Sequence, residues 1–347
     1  ETLDRVDKAI ENFNERRSSE AVLVKAQKEF MGWNHKGWEG LGAFDSNERK
    51  LANDLLGFKG SIVFPTVAFD QVLAAKDQSV VLGGVKALNR GMASFCQDDS
   101  RMHGVAYIPF HFGAEVALDY LKDAIKQDFS VIAIDTIAPH GCKSSTHPDF
   151  DCVWQEIQEA DIAITLHVGI DNSWDPVPLS FYNNEGTVPV HKQGDAPRDA
   201  LAYVGIAYCA ELFLASMIFD GILDRFPKLR VGVVELSASW IISWMKHLDQ
   251  SYRAFRRLQD LSHLQMLPSE YVQKHIKITA FPGEDIGWLL KNGAEDLLMF
   301  ATDYPHHEGT DDPIGRYERT MDGITEEVKS KFYTQNFKQL LGSHLSD

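Results

Sequence analysis

Apolar residues fall in short, nearly continuous runs at 61–67, 104–110, 131–137, 162–168, 229–235, 276–281 and 297–301. Helical spacing fills the gaps between them. In 114–126, Val116, Leu118, Leu121, Ala124 and Ile125 share one face, and 148–160, 200–225 and the tract up to 272 also read as helical. The segment 1–57 is polar and helical too, with Leu3, Val6, Ile10 and Phe13 in register. A Gly- and Trp-rich bend at 32–38 interrupts it, and Asp45 or Ser46 caps the next helix. Strands that are apolar on both faces belong to a parallel sheet covered by helices. Strict alternation of strand and helix leaves a doubly wound sheet or an eight-fold barrel. No Gly-x-Gly-x-x-Gly follows an early strand, which argues against a dinucleotide fold. The pattern therefore predicts an α/β, TIM-type (β/α)8 barrel as a single domain over 1–347, preceded by the helical segment 1–57. Seven runs are visible, so the first strand is expected immediately upstream of Glu1.

Composition narrows the function classes. The chain has 347 residues, 44% of them hydrophobic and 11% aromatic, enough for a large core. A net charge of −16 argues against nucleic acid, because a phosphate-binding face needs clustered Lys and Arg. The short basic clusters at 16–17 and 253–257 lie in mixed-charge helical sequence. Cys96, Cys142, Cys152 and Cys209 form no C-x-x-C pair and read as reduced thiols. No run of roughly 18 apolar residues is evident, so no membrane-spanning helix is expected. Nor is a secretory leader. These features predict a cytoplasmic protein acting on a small molecule, without nucleic acid or membrane partners.

In a barrel the chemistry sits where strands end. The ends here are Thr66, Phe110/His111, Asp135, His167, Glu235, Phe281 and Asp303. His167, flanked by apolar residues and followed two positions on by Gly169, is either a satisfied core histidine or a ligand. Asp303, in Thr302-Asp-Tyr-Pro-His306, is a buried carboxylate that needs a cation or several donors, whether as a salt bridge, a cap, a ligand or a base. Glu235 either caps the following helix or serves as a ligand or proton-transfer group. Asp135 is expected to organise a loop. Of His306 and His307, one is expected to reach the site. The loop histidines His111, His140, His147 and His191 are read mainly as surface residues around the same mouth.

Several segments, taken in order, support a family resemblance. They are Ile62-Val-Phe-Pro-Thr66, Asp99-Ser-Arg-Met-His-Gly-Val-Ala-Tyr-Ile-Pro109, Ile164-Thr-Leu-His-Val-Gly169, Gly221-Ile-Leu-Asp-Arg-Phe-Pro-Lys-Leu-Arg-Val231, Thr302-Asp-Tyr-Pro-His306 and Asn336-Phe-Lys-Gln-Leu-Leu-Gly342. The series, from about Phe44 onward, resembles the amidohydrolase superfamily. Within it, the match is to the amidohydrolase-2 branch that includes aminocarboxymuconate-semialdehyde decarboxylase and related aromatic-acid decarboxylases. The resemblance implies a divalent metal held by a His-x-His pair on the first strand, a His on the fifth and an Asp on the eighth. The last two carry over to His167 and Asp303. The first pair has no counterpart in the given residues, and Glu1 fits the end of an upstream Asp-x-Asp-x-His-x-x-Glu motif. The branch's decarboxylases place a His where this chain has Glu235.

The expected activity is hydrolysis of a carbonyl-containing, apolar or aromatic small molecule by a metal-activated water, with Zn²⁺, or else Mn, Fe or Co. Asp303 would act as base, Glu235 and His306 would position water or substrate, and the loop 169–199, with Trp174, Phe181 and Tyr182, would close over it. Non-oxidative decarboxylation of an aromatic or unsaturated acid is the alternative at the same site. A metal-free scaffold barrel is the third reading. A homodimer is implied by the resemblance alone.

Overall fold

The computed structural model describes residues 2–30, 37–142, 144–170, 200–306, 309–310 and 312–345. Most of the expected loop, including Trp174, Phe181, Tyr182 and His191, lies outside the described residues, as does His307. The seven apolar runs become seven parallel strands: β1 (Ser61–Val63), β2 (Met102–Ile108), β3 (Val131–Ile134), β4 (Ala163–His167), β5 (Val231–Val234), β6 (Ile276–Thr279) and β7 (Leu298–Met299). They pair in sequence order, β1 through β7, in one curled sheet with helices outside it, the architecture of a TIM-type barrel. Every residue of β2, β3, β4 and β6 is buried, because helices cover one face and the barrel interior the other.

Register fixes which side chains face inward. A Cβ on Gly104 would press on Cys96 of the outer helix Gln78–Cys96, so 104, 106 and 108 face the helix layer and 103, 105 and 107 face the interior. Tyr107 pairs with Ala133, Ala133 with Thr165, and His167 with Val234. Tyr107, Asp135 and His167 therefore belong to one inward-facing set near the C-terminal lip.

Among the described residues no strand joins β1 to β7. The N-terminal segment packs across this opening. Gly37 N donates to Pro305 O at 2.5 Å, Tyr304 Oη to Leu41 O at 2.7 Å, and the Phe58 and Phe300 rings meet edge-on at 6.2 Å. A buried Arg16–Glu48 pair, bonded at 2.6 and 2.9 Å, ties the helix Thr2–Ser18 to the helix Ser46–Leu56 beneath it. Asp45 caps the second of these through Asn47 N and Glu48 N.

Several expected boundaries shift. Pro65 ends the first run, and Thr66–Leu73 is helical, so Thr66 is not a strand end. The tract 200–225 divides into the helices Ala200–Val204, Tyr208–Phe219 and Ile222–Arg225, with Gly221 in the left-handed region at φ 74°. The tract after 240 divides into Ile241–Phe255 and Pro268–His275, and its Trp244 is core while Phe255 is exposed. The expectation of no membrane-length helix also changes. The helical stretch Ala200–Phe219 is long and apolar enough to cross a bilayer by length and composition. In the fold Ala210, Leu214, Met217 and Ile218 of that stretch are buried in the core. Cys96, Cys142 and Cys152 are free thiols, and burial pushes the Cys96 thiol up to about 12.

His275 gives the fold an acid-sensitive point. It is buried, its Nδ1 lies 2.8 Å from Leu229 O, and burial lowers its pKa from the ordinary 6.5. The unfolded chain binds this proton more readily, so its contribution is present above pH 6.5 and is lost as pH falls toward the folded value. The urea midpoint is expected to drop between about pH 7.5 and about pH 5, and the drop is expected to be smaller in His275→Gln. An identical drop in both proteins rules His275 out as a source.

Candidate metal centre

Three strand ends and one loop converge on a small polar cluster. His167 ends β4, and its ring lies 4.3 Å from that of Phe64, which follows β1, with the two planes tilted by 37°. The contact crosses the mouth above β2 and β3. His167 Nδ1 lies 2.7 Å from Val168 O and donates to it, which leaves Nε2 for the cluster. Nε2 is 2.9 Å from Glu235 Oε2.

Glu235 reaches this place by breaking the strand's alternation. Val234 pairs with His167 and occupies the inward position, so a continued strand would turn residue 235 outward. Instead Glu235 takes φ 60°, held by a 3.2 Å hydrogen bond from its N–H to Thr279 Oγ1. Asp303 is in the same region at φ 57°. Neither is glycine, and each such conformation costs about 1–3 kcal/mol and persists only where the surroundings impose it. Both site carboxylates are thus aimed by strained backbone at strand ends.

His306 completes the group. Its N–H donates to Asp303 O at 2.7 Å, and its Nδ1 lies 3.0 Å from Asp303 Oδ1 and 3.7 Å from Glu235 Oε1. Burial raises the Glu235 carboxyl, but the imidazoles of His167 and His306 outweigh that and hold it well below the usual carboxylate range.

Glu235 does not cap the next helix, Ile241–Phe255, which follows Trp240 without a side-chain cap; a different carboxylate, Glu284, ties the turn 237–239 that leads into it. That buried carboxylate accepts from Phe281 N at 2.8 Å, Ala238 N at 3.0 Å and Ser239 N at 2.7 Å, and from the hydroxyls of Ser237 and Ser239. Sequence reading missed Glu284, and also Phe64, which is hidden in an apolar run. Glu284 follows a Pro-Gly pair after β6, a loop position whose partners are remote in sequence.

The remaining candidates separate clearly. Asp135, fully buried, accepts from Tyr107 Oη and His111 Nδ1, each at 2.8 Å, and from Ile137 N at 3.3 Å. The His140 ring sits 6.4 Å from that of His111. His147 is exposed and caps a turn by accepting from Asp149 N.

Ligand atoms of Glu235, Asp303 and His306 all lie within 4.8 Å of one another, with His167 Nε2 against Glu235. Two adjacent, largely covered carboxylates need positive charge between them, and mixed imidazole and carboxylate donors suit a divalent ion. The residues present fit the metal that the resemblance implies. Nothing among the described residues matches the His-x-His pair.

The amidohydrolase family model matches residues 57–342. The chain belongs to the amidohydrolase family. The match covers all seven strands and every member of the cluster, in a family of enzymes. Solved structures of similar fold include an amidohydrolase from Mycobacterium avium subsp. paratuberculosis (18% identity, TM-score 0.71, 87% of this chain and 75% of that one). Another is 5-carboxyvanillate decarboxylase from Sphingomonas paucimobilis (19%, 0.60, 85% and 82%). A third is a dihydroxybenzoic acid decarboxylase from a Polaromonas species (16%, 0.60, 87% and 88%), solved with manganese and the inhibitor 2-nitroresorcinol. At these identities the likeness establishes the shared barrel. Within it, this amidohydrolase places a carboxylate, Glu235, against the β4 histidine.

Proposed function

We propose that the chain is a metal-dependent, non-oxidative decarboxylase of an aromatic carboxylic acid. The observation that carries this reading is the convergence of His167, Glu235, Asp303 and His306 at the C-terminal mouth of the barrel. The similar 5-carboxyvanillate and dihydroxybenzoic acid decarboxylases support the substrate class, and the manganese in one of them supports the cofactor class. His167, Asp303, His306 and Glu235 would hold the ion. When bound, a divalent ion supplies positive charge that binds a carboxylate and an adjacent oxygen and stabilises charge developing in the ring. Glu235 fixes the orientation of His167 and His306. Phe64 covers one face of His167 and keeps water from it.

Hydrolysis at the same site is the second reading. It is favoured by Glu235, since a carboxylate held ionised is a poor proton donor but a competent base or orienting group. A panel of hydroxybenzoates, aryl esters and aryl amides, offered to protein expressed with added manganese, separates the two. Release of CO₂ from a hydroxybenzoate is the expected result. Cleavage of esters or amides without CO₂ release transfers the assignment to hydrolysis. A purified protein holding well under a tenth of an equivalent of Mn, Zn, Fe or Co after supplementation favours the scaffold reading.

A further inference from the structure

A second polar group stands at the same mouth and is not used by the metal cluster. His111 lies in the short turn Phe110–Phe112 that follows Pro109 at the end of β2. Its Nδ1 is 2.8 Å from Asp135 Oδ2, and the same oxygen accepts from Tyr107 Oη at 2.8 Å and from His111 N at 3.3 Å. Burial, and then the adjacent Asp135, raise the Tyr107 hydroxyl well above its ordinary value, so it remains a donor. The backbone of His111 is fixed as well, because its carbonyl accepts from His140 N at 2.8 Å.

Asp135 is 0% exposed and its oxygens are filled by donors, which fixes the imidazole with Nδ1 protonated and turned to the carboxylate. Nε2 makes no hydrogen bond among the described residues, and the side chain retains 17% exposure. A buried carboxylate behind a partly exposed imidazole is more than a loop tie requires, since a backbone amide would satisfy Asp135 without a titratable ring.

The location matches. Asp135 and His167 are each two residues past a register pair, Ala133 and Thr165, and so sit level on neighbouring strands. Phe64 touches His167 across the mouth, and the ends of β2 and β3 lie in the arc between them. The group is therefore beside the metal cluster, on the wall opposite Glu235 and Asp303 in the order of strands.

We propose that His111 is a catalytic acid that contacts the substrate through Nε2, with Asp135 and Tyr107 as its positioning residues. The proposal rests on the decarboxylase reading above. The C–C bond to the carboxylate breaks and CO₂ leaves. The electron pair left on the ring carbon takes the Nε2 proton, giving Ar–H and a neutral imidazole, which regains its proton from water. Glu235 is no such donor, because both of its oxygens face imidazoles.

The test uses the full chain loaded with Mn²⁺ and 2,6-dihydroxybenzoate as the probe. Diethyl pyrocarbonate is added, and carbethoxylation of His111 is followed by peptide mass spectrometry. His111 is expected to react in the free protein and at least about fivefold more slowly with saturating probe, since a bound ligand covers Nε2. In a second arm, His111→Gln is expected to lower kcat for CO₂ release about a hundredfold with KM changed less, as loss of a general acid does. His111→Ala is expected to recover part of that rate with added imidazole, a response that a purely structural role would not give. Modification of His111 at the same rate with and without probe overturns the proposal, as does wild-type kcat in His111→Gln. Protection of His111 without any CO₂ release leaves the substrate contact standing and removes the decarboxylase reading instead.

Discussion

Asp303→Asn is expected to leave the chain folded and to lower turnover by about a thousandfold, the scale expected if Asp303 fills the two roles read for it, metal ligand and base. The backbone reason for retained folding is local. Asp303 sits at φ 57°, and asparagine tolerates that region about as well as aspartate does. Tyr304 and Pro305 stay anchored to Leu41 and Gly37 by contacts that do not involve the carboxylate. The substitution removes one negative charge from a cluster that also holds Glu235 and His306. It therefore weakens divalent-ion affinity while the circular dichroism spectrum and melting temperature stay close to wild type. Mn²⁺ titration and turnover on the responsive substrate are the measurements. Near-normal turnover with bound metal removes Asp303 from both roles.

Glu235→Gln is the second large effect, and it separates charge from shape. The glutamine can occupy the same volume and still accept one hydrogen bond, but it no longer neutralises the imidazoles of His167 and His306 at 2.9 and 3.7 Å. Affinity for Mn²⁺ is expected to fall by about 10–100-fold, the range for losing a group that orients a ligand or serves as a weak one. The fall in kcat at saturating metal is expected to be smaller than for Asp303→Asn. Glu235→Ala is expected to be worse than Glu235→Gln, because it also leaves a cavity beside His167. A Glu235→Gln protein with unchanged metal affinity and kcat assigns Glu235 to structure alone.

Much of the architecture was legible in the chain. Seven apolar runs gave seven parallel strands in sequential order, because a strand buried on both faces must be apolar on both and needs no distant partner to say so. Their edges were less legible. Pro65 cut the first run to Ser61–Val63, and the long helical tracts broke at Gly221 and before Pro268, where local backbone rules outrank periodicity.

The sequence by itself determined the barrel class and the residue types standing near the ends of the strands, His167, Glu235 and Asp303 among them. The tertiary structure alone decided which of those residues meet. Residue 235 is directed inward only because its backbone enters the left-handed region and its N–H finds Thr279 from the next strand. Glu284, a loop residue with no periodic signal, ties down the turn between β5 and the next helix. Asp135 and His111, 24 positions apart, form a pair because β2 and β3 lie side by side at that register. The physical reason is one of range. Burial and strand pairing follow from short-range pattern, whereas contact between charged groups depends on register and on single dihedral angles, which the pattern of apolar residues does not encode.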